Sequence, residues 1–226
     1  MGCEPELLQK KAAPAKARKL DLPEGVPPLT SLYMYIAGSC NLACRHCRAS
    51  ADNGPFAGEL DTAAAFRLLD QIAELGRPIV ILTGGEPLLL SDIFELAAHG
   101  TKKGLRMVMA PNGTLITDAI AQKMANSGIQ RISVSIDGAT LERHDRFRGV
   151  DGAFEGALRG IEAAKKAGIE FQINTTISKI NHDQIPDRAQ SNVVSLPNSA
   201  DALNTPVPMP RMSLATVVSY AKASET

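Results

Sequence analysis

The chain has 226 residues, 24 basic and 24 acidic side chains, and 44% hydrophobic residues. This suits one sizeable domain with a real core, and zero net charge gives no electrostatic reason to expect nucleic acid as a partner. No apolar run approaches the length needed to cross a bilayer, residues 1–19 lack the apolar core of a signal peptide, and four cysteines are too few for a disulfide-stapled secreted domain, so a reducing cytoplasm and no membrane association are expected.

Residues 1–29 read as a mobile leader, with a basic cluster (Lys10, Lys11, Lys16, Arg18, Lys19) diluted by alanine and proline. Met-Gly-Cys at its start hints at lipidation, but Glu6 stands where that pattern needs Ser or Thr. Cys3 is read as a chance thiol. After Pro23, Pro27 and Pro28, the apolar, aromatic run 32–37 predicts a buried strand, and a cysteine-rich loop follows at once. Asp61 or Thr62 can cap a helix that carries Phe66, Leu69, Ile72 and Ala73 at helical spacing and stops at Gly76.

A unit then repeats, in which a helix ends at a glycine and a strand begins within a few residues. Gly76 precedes 79–82, Gly104 precedes 105–110, Gly128 precedes 129–136 and Gly168 precedes 169–177. Glycine tolerates the left-handed conformation wanted just past a helix end. Ser91 or Asp92 starts a helix with Ile93, Phe94, Leu96 and Ala97; Thr117 or Asp118 starts another with Ile120 and Met124; a third runs from about Ala153 with Phe154, Ala157, Leu158 and Ile161. Five strands alternating with four helices predict an α/β fold with a parallel sheet, and ligands bind such sheets beyond the carboxyl ends of the strands.

The chemistry-bearing residues fall at those ends. Cys40, Cys44 and Cys47, spaced CxxxCxxC, can hold three corners of a cubane iron–sulfur cluster. Such a cluster normally takes four cysteines, so three leave one iron open to a small molecule. The alternative is a zinc site that adds His46, but zinc knuckles are usually paired far apart, and here all four candidates lie within eight residues. Strand two is followed by Thr83-Gly84-Gly85-Glu86-Pro87, whose glycines would let backbone approach a ligand, with a backbone acceptor or Glu86 available to it. The bland alternative there is a Gly-Gly turn before a helix. Strand three ends in Pro111-Asn112-Gly113-Thr114, strand four points Ser133, Ser135 and Asp137 to one side, and strand five does the same with Gln172, Asn174 and Thr176. Each polar residue alone reads as a strand-end or turn residue; the ordered set is what carries information. His99, His144 and His182 are read as surface or packing residues.

In this combination, residues 30–181 resemble the radical S-adenosylmethionine (SAM) enzymes, through the cysteine loop, the GGEP stretch and the Ser135 to Arg148 region. The resemblance implies an incomplete parallel (β/α)6 radical SAM barrel with about five recognisable strands. It implies a [4Fe–4S] cluster on Cys40, Cys44 and Cys47, and SAM contacts from His46, Gly84, Gly85, Glu86, Pro87, Asn112, Ser135, Asp137, Arg148 and Asn174. Arg148 would pair with the SAM carboxylate, Asn174 would reach the ribose, and His46 would sit beside cluster and adenine. The implied activity is reductive cleavage of SAM to a 5′-deoxyadenosyl radical, which demands no acid or base from the protein. An electron donor such as ferredoxin or flavodoxin is implied as a partner. Segments 47–51, 104–110, 147–161 and 171–177 look most like the tetrapyrrole, haem-biosynthesis branch; peptide-modifying and molybdopterin-type enzymes share the general architecture.

The resemblance stops near residue 181. No cysteine follows Cys47, although related branches carry auxiliary-cluster cysteines, and a sixth strand is missing. From residue 182 glycine vanishes, Pro186, Pro197, Pro206, Pro208 and Pro210 interrupt the chain, and only 214–221 could form a short element. Residues 182–226 are therefore expected to be an irregular tail, readily removed by protease while the core resists, as in a truncated or frame-altered member. A catalytically silent iron–sulfur remnant is the competing expectation.

Overall fold

The structure is a computed structural model that describes residues 28–184 apart from positions 55 and 57. The leader with Cys3 lies outside the described residues, as does the tail beyond its first turn, His182–Gln184. The elements run β1 (Ser31–Ala37), α1 (Thr62–Leu75), β2 (Ile79–Gly84), a short 3₁₀ turn (Pro87–Leu89), α2 (Ile93–Lys102), β3 (Arg106–Met109), α3 (Asp118–Asn126), β4 (Arg131–Ser135), α4 (Leu141–Arg148), α5 (Ala153–Lys166) and β5 (Glu170–Asn174).

The five strands form one parallel sheet in the order β1-β2-β3-β4-β5. Parallel crossovers share one hand, so a sheet built strictly in sequence collects its helices on one face. Burial follows that geometry. Met34 and Ile36, Val80 and Leu82, Met107 and Met109, and Ile132 and Val134 are buried together with Leu69, Ile72, Leu96, Met124 and Ile161 of the helices. The alternate residues face the other way: Tyr33 and Tyr35 are 63% and 62% exposed, and Ile81, Val108 and Ser133 are half-buried. The described part is thus an open-sided barrel wall whose concave face mixes aromatic, aliphatic and polar side chains.

Local chemistry explains the helix starts. Asp61 accepts the Ala64 N–H at 2.6 Å and Thr117 accepts that of Ile120 at 3.2 Å, each filling one of the unpaired donors of a first turn. The glycine-stop expectation holds at Gly104, Gly128 and Gly168, whose φ values are 79°, 86° and 76°. Helix α1 also stops at Gly76 ahead of β2, but the φ of 164° there is extended backbone that any residue adopts, so this stop does not use the left-handed conformation. Helix α4 is a further departure from expectation, since only four helices are legible in the sequence. Its buried residues are His144, Asp145, Phe147 and Arg148, so it has no aliphatic stripe to betray it.

Asp145 links α4 to α5. No side chain of α5's own N-terminus caps it; instead Asp145 accepts the N–H groups of Gly152 and Phe154 at 2.7 and 2.8 Å. This buried carboxylate ties α4 to the start of α5.

Candidate functional site

All five strand ends meet at one edge of the sheet, and the cysteine loop lies across it. The loop leaves β1 at Gly38 and is closed by a bridge between Ser39 and Asp52, with the Cys40 N–H on the Asp52 carbonyl at 3.1 Å. Its middle is pinned by the end of α4: Ala43 donates to the Arg148 carbonyl at 3.1 Å and Arg45 to that of Phe147 at 3.3 Å. Gly149 permits this approach, because a Cβ there would overlap the Ala43 carbonyl oxygen.

Each of the three sulfurs receives one N–H. Leu42 donates to Cys40 Sγ at 3.4 Å, Ala51 to Cys47 Sγ at 3.3 Å, and the Arg148 guanidinium approaches Cys44 Sγ at 3.6 Å. Burial pushes the Cys40 and Cys44 thiols up, and the positive charge of Arg148 pulls Cys44 back. Donors aimed at sulfur suit anionic thiolates, the form in which cysteine ligates metal. Among the described residues no group of three or more Cys, His, Asp or Glu side chains is arranged to hold a metal ion.

His46 packs on Phe147 of α4. Its ring stacks on Phe147 with centroids 4.0 Å apart, Nε2 lies 4.0 Å from Asp137 Oδ2, and Nδ1 is buried without a hydrogen-bond partner among the described residues. Burial holds its pKa below the ordinary value, which favours the neutral ring.

The glycines of the GGEP stretch lie at the end of β2, as expected, but the space they leave is not empty. A Cβ on Gly84 would overlap the Ala37 carbonyl, and one on Gly85 would overlap that of Ser39. They make room for the chain's own β1 segment, and the Glu86 N–H then donates to the Ser39 carbonyl at 2.7 Å. Nor is the Glu86 side chain turned outward for a ligand. It is fully buried, its oxygens accept the N–H groups of Leu88 and Asn112 at 3.0 and 2.7 Å, and burial lifts its pKa to about 7. Pro87 is buried at the start of the 3₁₀ turn.

Asp137 and Arg148, each expected to meet a ligand, meet one another. Asp137 Oδ2 pairs with Arg148 Nη2, while Oδ1 takes the Thr176 N–H at 2.7 Å; the two residues are 1% and 8% exposed. His144 is more than packing, because its Nδ1 accepts the Asp137 N–H at 3.1 Å. Asn181, also missed in the sequence, donates to the Asp137 and Thr176 carbonyls.

Ser135 and Asn174 face each other across β4 and β5. The Asn174 amide donates to Ser133 Oγ at 2.6 Å and accepts from Gln172 at 2.8 Å, which sets it on the concave face. Asn112 lies beside the cysteine loop, bonded to Asn41 and Thr114. The structure thus gathers the three cysteines with His46, Asn112, Asp137 and Arg148, buries Glu86, and places Ser135 and Asn174 on the barrel wall.

A family model described as the radical SAM superfamily matches residues 34–190. A protein named AdoMet-dependent heme synthase from Oleidesulfovibrio alaskensis is 48% identical over 177 residues, covering 76% of this chain and 46% of that protein. Another of the same name from Methanosarcina barkeri is 53% identical over 150 residues, covering 66% of this chain and 43% of that protein. The chain spans less than half the length of these curated relatives. Among solved structures, Streptococcus suis SuiB bound to S-adenosylmethionine superposes with a TM-score of 0.62 at 20% identity, over 74% of this chain and 38% of that one. That likeness concerns the fold. With the family model matched over more than half its length, the chain belongs to the radical SAM superfamily.

Proposed function

We propose that the chain holds a [4Fe–4S] cluster on Cys40, Cys44 and Cys47, binds SAM at the open iron, and serves the oxidative modification of a tetrapyrrole side chain in haem biosynthesis. The observation that carries the cluster is the set of three sulfurs, each with one N–H donor, at the carboxyl edge of a parallel sheet. The tetrapyrrole reading rests on relatives named for haem synthesis at about half identity. When bound, cluster and SAM supply a 5′-deoxyadenosyl radical able to take hydrogen from an unactivated carbon.

The chain's own residues bind, orient and shield. Arg148, held by Asp137, offers its guanidinium beside the cysteine loop, and its buried Nε has no hydrogen-bond partner among the described residues, which supports it as the group that would pair with a SAM carboxylate. The His46 ring, fixed flat on Phe147, offers a buried Nδ1 and an aromatic face to an adenine. Gly84, Gly85 and Pro87 would contact SAM through backbone, since the Glu86 carboxylate is buried in structural bonds. Asn112 borders the site, while Ser135 and Asn174 line the wall toward the ribose. Residues 30–181 form the folded unit, a ferredoxin or flavodoxin is the electron donor, and the cytoplasm is the compartment. No helix among the described residues is long and apolar enough to cross a membrane.

The test is anaerobic reconstitution with iron and sulfide, then assay of 5′-deoxyadenosine from SAM under a strong reductant, with Cys44→Ala alongside. Product that disappears in the variant supports the proposal; product formed equally by both would sink it.

A further inference from the structure

We propose that Asn41 and Thr114 are positioning residues for Cys40, closing with Asn112 a ring of side-chain hydrogen bonds that locks the turn after β3 onto the cysteine loop. Asn112 Nδ2 donates to Asn41 Oδ1 at 2.7 Å, Asn41 Nδ2 donates to Thr114 Oγ1 at 2.9 Å, and Thr114 Oγ1 donates to Asn112 Oδ1 at 2.7 Å. Every member gives one bond and accepts one, all in the same sense around the ring. Reversing either amide would set donor against donor, so the ring fixes both orientations, and bonds that run head to tail polarise one another.

The turn that carries two of the three members is itself immobilised. Asn112 N–H is held by the buried Glu86 carboxylate at 2.7 Å, and Asn112 Oδ1 also takes the Thr114 N–H at 2.9 Å. Gly113 lies flush on the small-residue face of α5, where a Cβ on Gly160 would overlap the Gly113 carbonyl and one on Gly113 would sit 3.1 Å from Ala157 Cα. Asn41, by contrast, is exposed and lies on the loop next to Cys40. The ring therefore ties an exposed loop residue to a rigid post. Asn41 directly follows Cys40 in the chain, so the ring holds the backbone that carries that thiol.

Three partly exposed polar side chains would be satisfied almost as well by water, so the ring adds little to global stability. Its effect lies in the placement of one cysteine. Groups that orient a metal ligand from the next layer out are typically worth 10–100-fold in metal affinity. This inference rests on the cluster proposal for its role, but its geometry can be tested without metal.

The experiment uses the full chain with Thr114→Val, which keeps the shape and removes the hydroxyl, Thr114→Ser, which restores it, and Asn41→Ala at the exposed position. In the metal-free chain, iodoacetamide labelling at Cys40 and Cys47 is resolved by mass spectrometry. Thr114→Val and Asn41→Ala are expected to speed Cys40 labelling several-fold relative to Cys47, with Thr114→Ser matching the parent. After reconstitution with iron and sulfide, the first two are expected to lose iron to a chelator about 10-fold faster. Equal Cys40 rates in all chains would overturn the inference, as would a joint rise at Cys40 and Cys47, which signals general loosening. A parent chain that takes up no iron would sink the cluster proposal, while the labelling comparison still decides the ring.

Discussion

Replacing Gly149 by alanine separates two costs that a glycine can hide. Gly149 and Gly168 have nearly the same left-handed backbone, with φ of 74° and 76°. A Cβ on Gly168 meets nothing within 4 Å, whereas one on Gly149 overlaps the Ala43 carbonyl oxygen. Gly168→Ala should therefore cost only the left-handed strain, about 1–2 kcal/mol. Gly149→Ala should cost that and the displacement of packed backbone, a further ~1–3 kcal/mol. The displaced backbone is the segment whose Ala43 and Arg45 N–H groups dock on α4, so the extra cost is paid at the cysteine loop. Urea unfolding of both variants measures the gap, and iron content after reconstitution reads the loop. Gly168→Ala is expected to keep its iron and Gly149→Ala to lose much of it. Variants equally stable and equally loaded would refute the claim that α4 holds the loop by close backbone contact.

Other outcomes follow from the same contacts. Asp145→Ala strips the acceptor from two N–H groups at the start of α5 and should lower stability by about 2 kcal/mol in thermal or urea unfolding. Arg148→Met leaves Asp137 buried and unpaired, a loss of roughly 3–5 kcal/mol, and the double variant Arg148→Met with Asp137→Asn should recover part of it. Glu86 is lifted by burial from 4.5 to about 7, so the folded chain holds its proton more tightly than the unfolded one. Its contribution is full below the unfolded value and is lost as pH rises through about 7, a fall of roughly 3 kcal/mol that Glu86→Gln should flatten in stability measured against pH.

The parallel sheet was legible because its strands are apolar runs placed just after helix ends, a pattern set by backbone needs and burial. Helix α4 was not, since its inner face is built from His144, Asp145, Phe147 and Arg148, and charged residues buried by partners elsewhere in the fold look like a solvated segment. The cysteine spacing alone left a cluster and a zinc site open, and it was the ordered set of motifs after it that pointed to the radical SAM superfamily. The partners of Asp137 and Arg148 were harder: both residues were recognisable, yet the ion pair between them is a tertiary fact. Gly84 and Gly85 show the same limit, because a sequence cannot tell room made for a ligand from room made for the Ala37 and Ser39 carbonyls. Asn41 and Thr114 lie 73 positions apart and meet only once β1 and β3 are set side by side with β2.

The most direct test of the central claim is Mössbauer and electron paramagnetic resonance spectroscopy of the anaerobically reconstituted full chain, with and without SAM. Three thiolate corners predict a [4Fe–4S] cluster in which one iron site changes its signature when SAM is added, and Cys40→Ala, Cys44→Ala or Cys47→Ala each abolishes the signal. A cluster whose irons all ignore SAM, or a chain that takes up zinc and no iron, would contradict it.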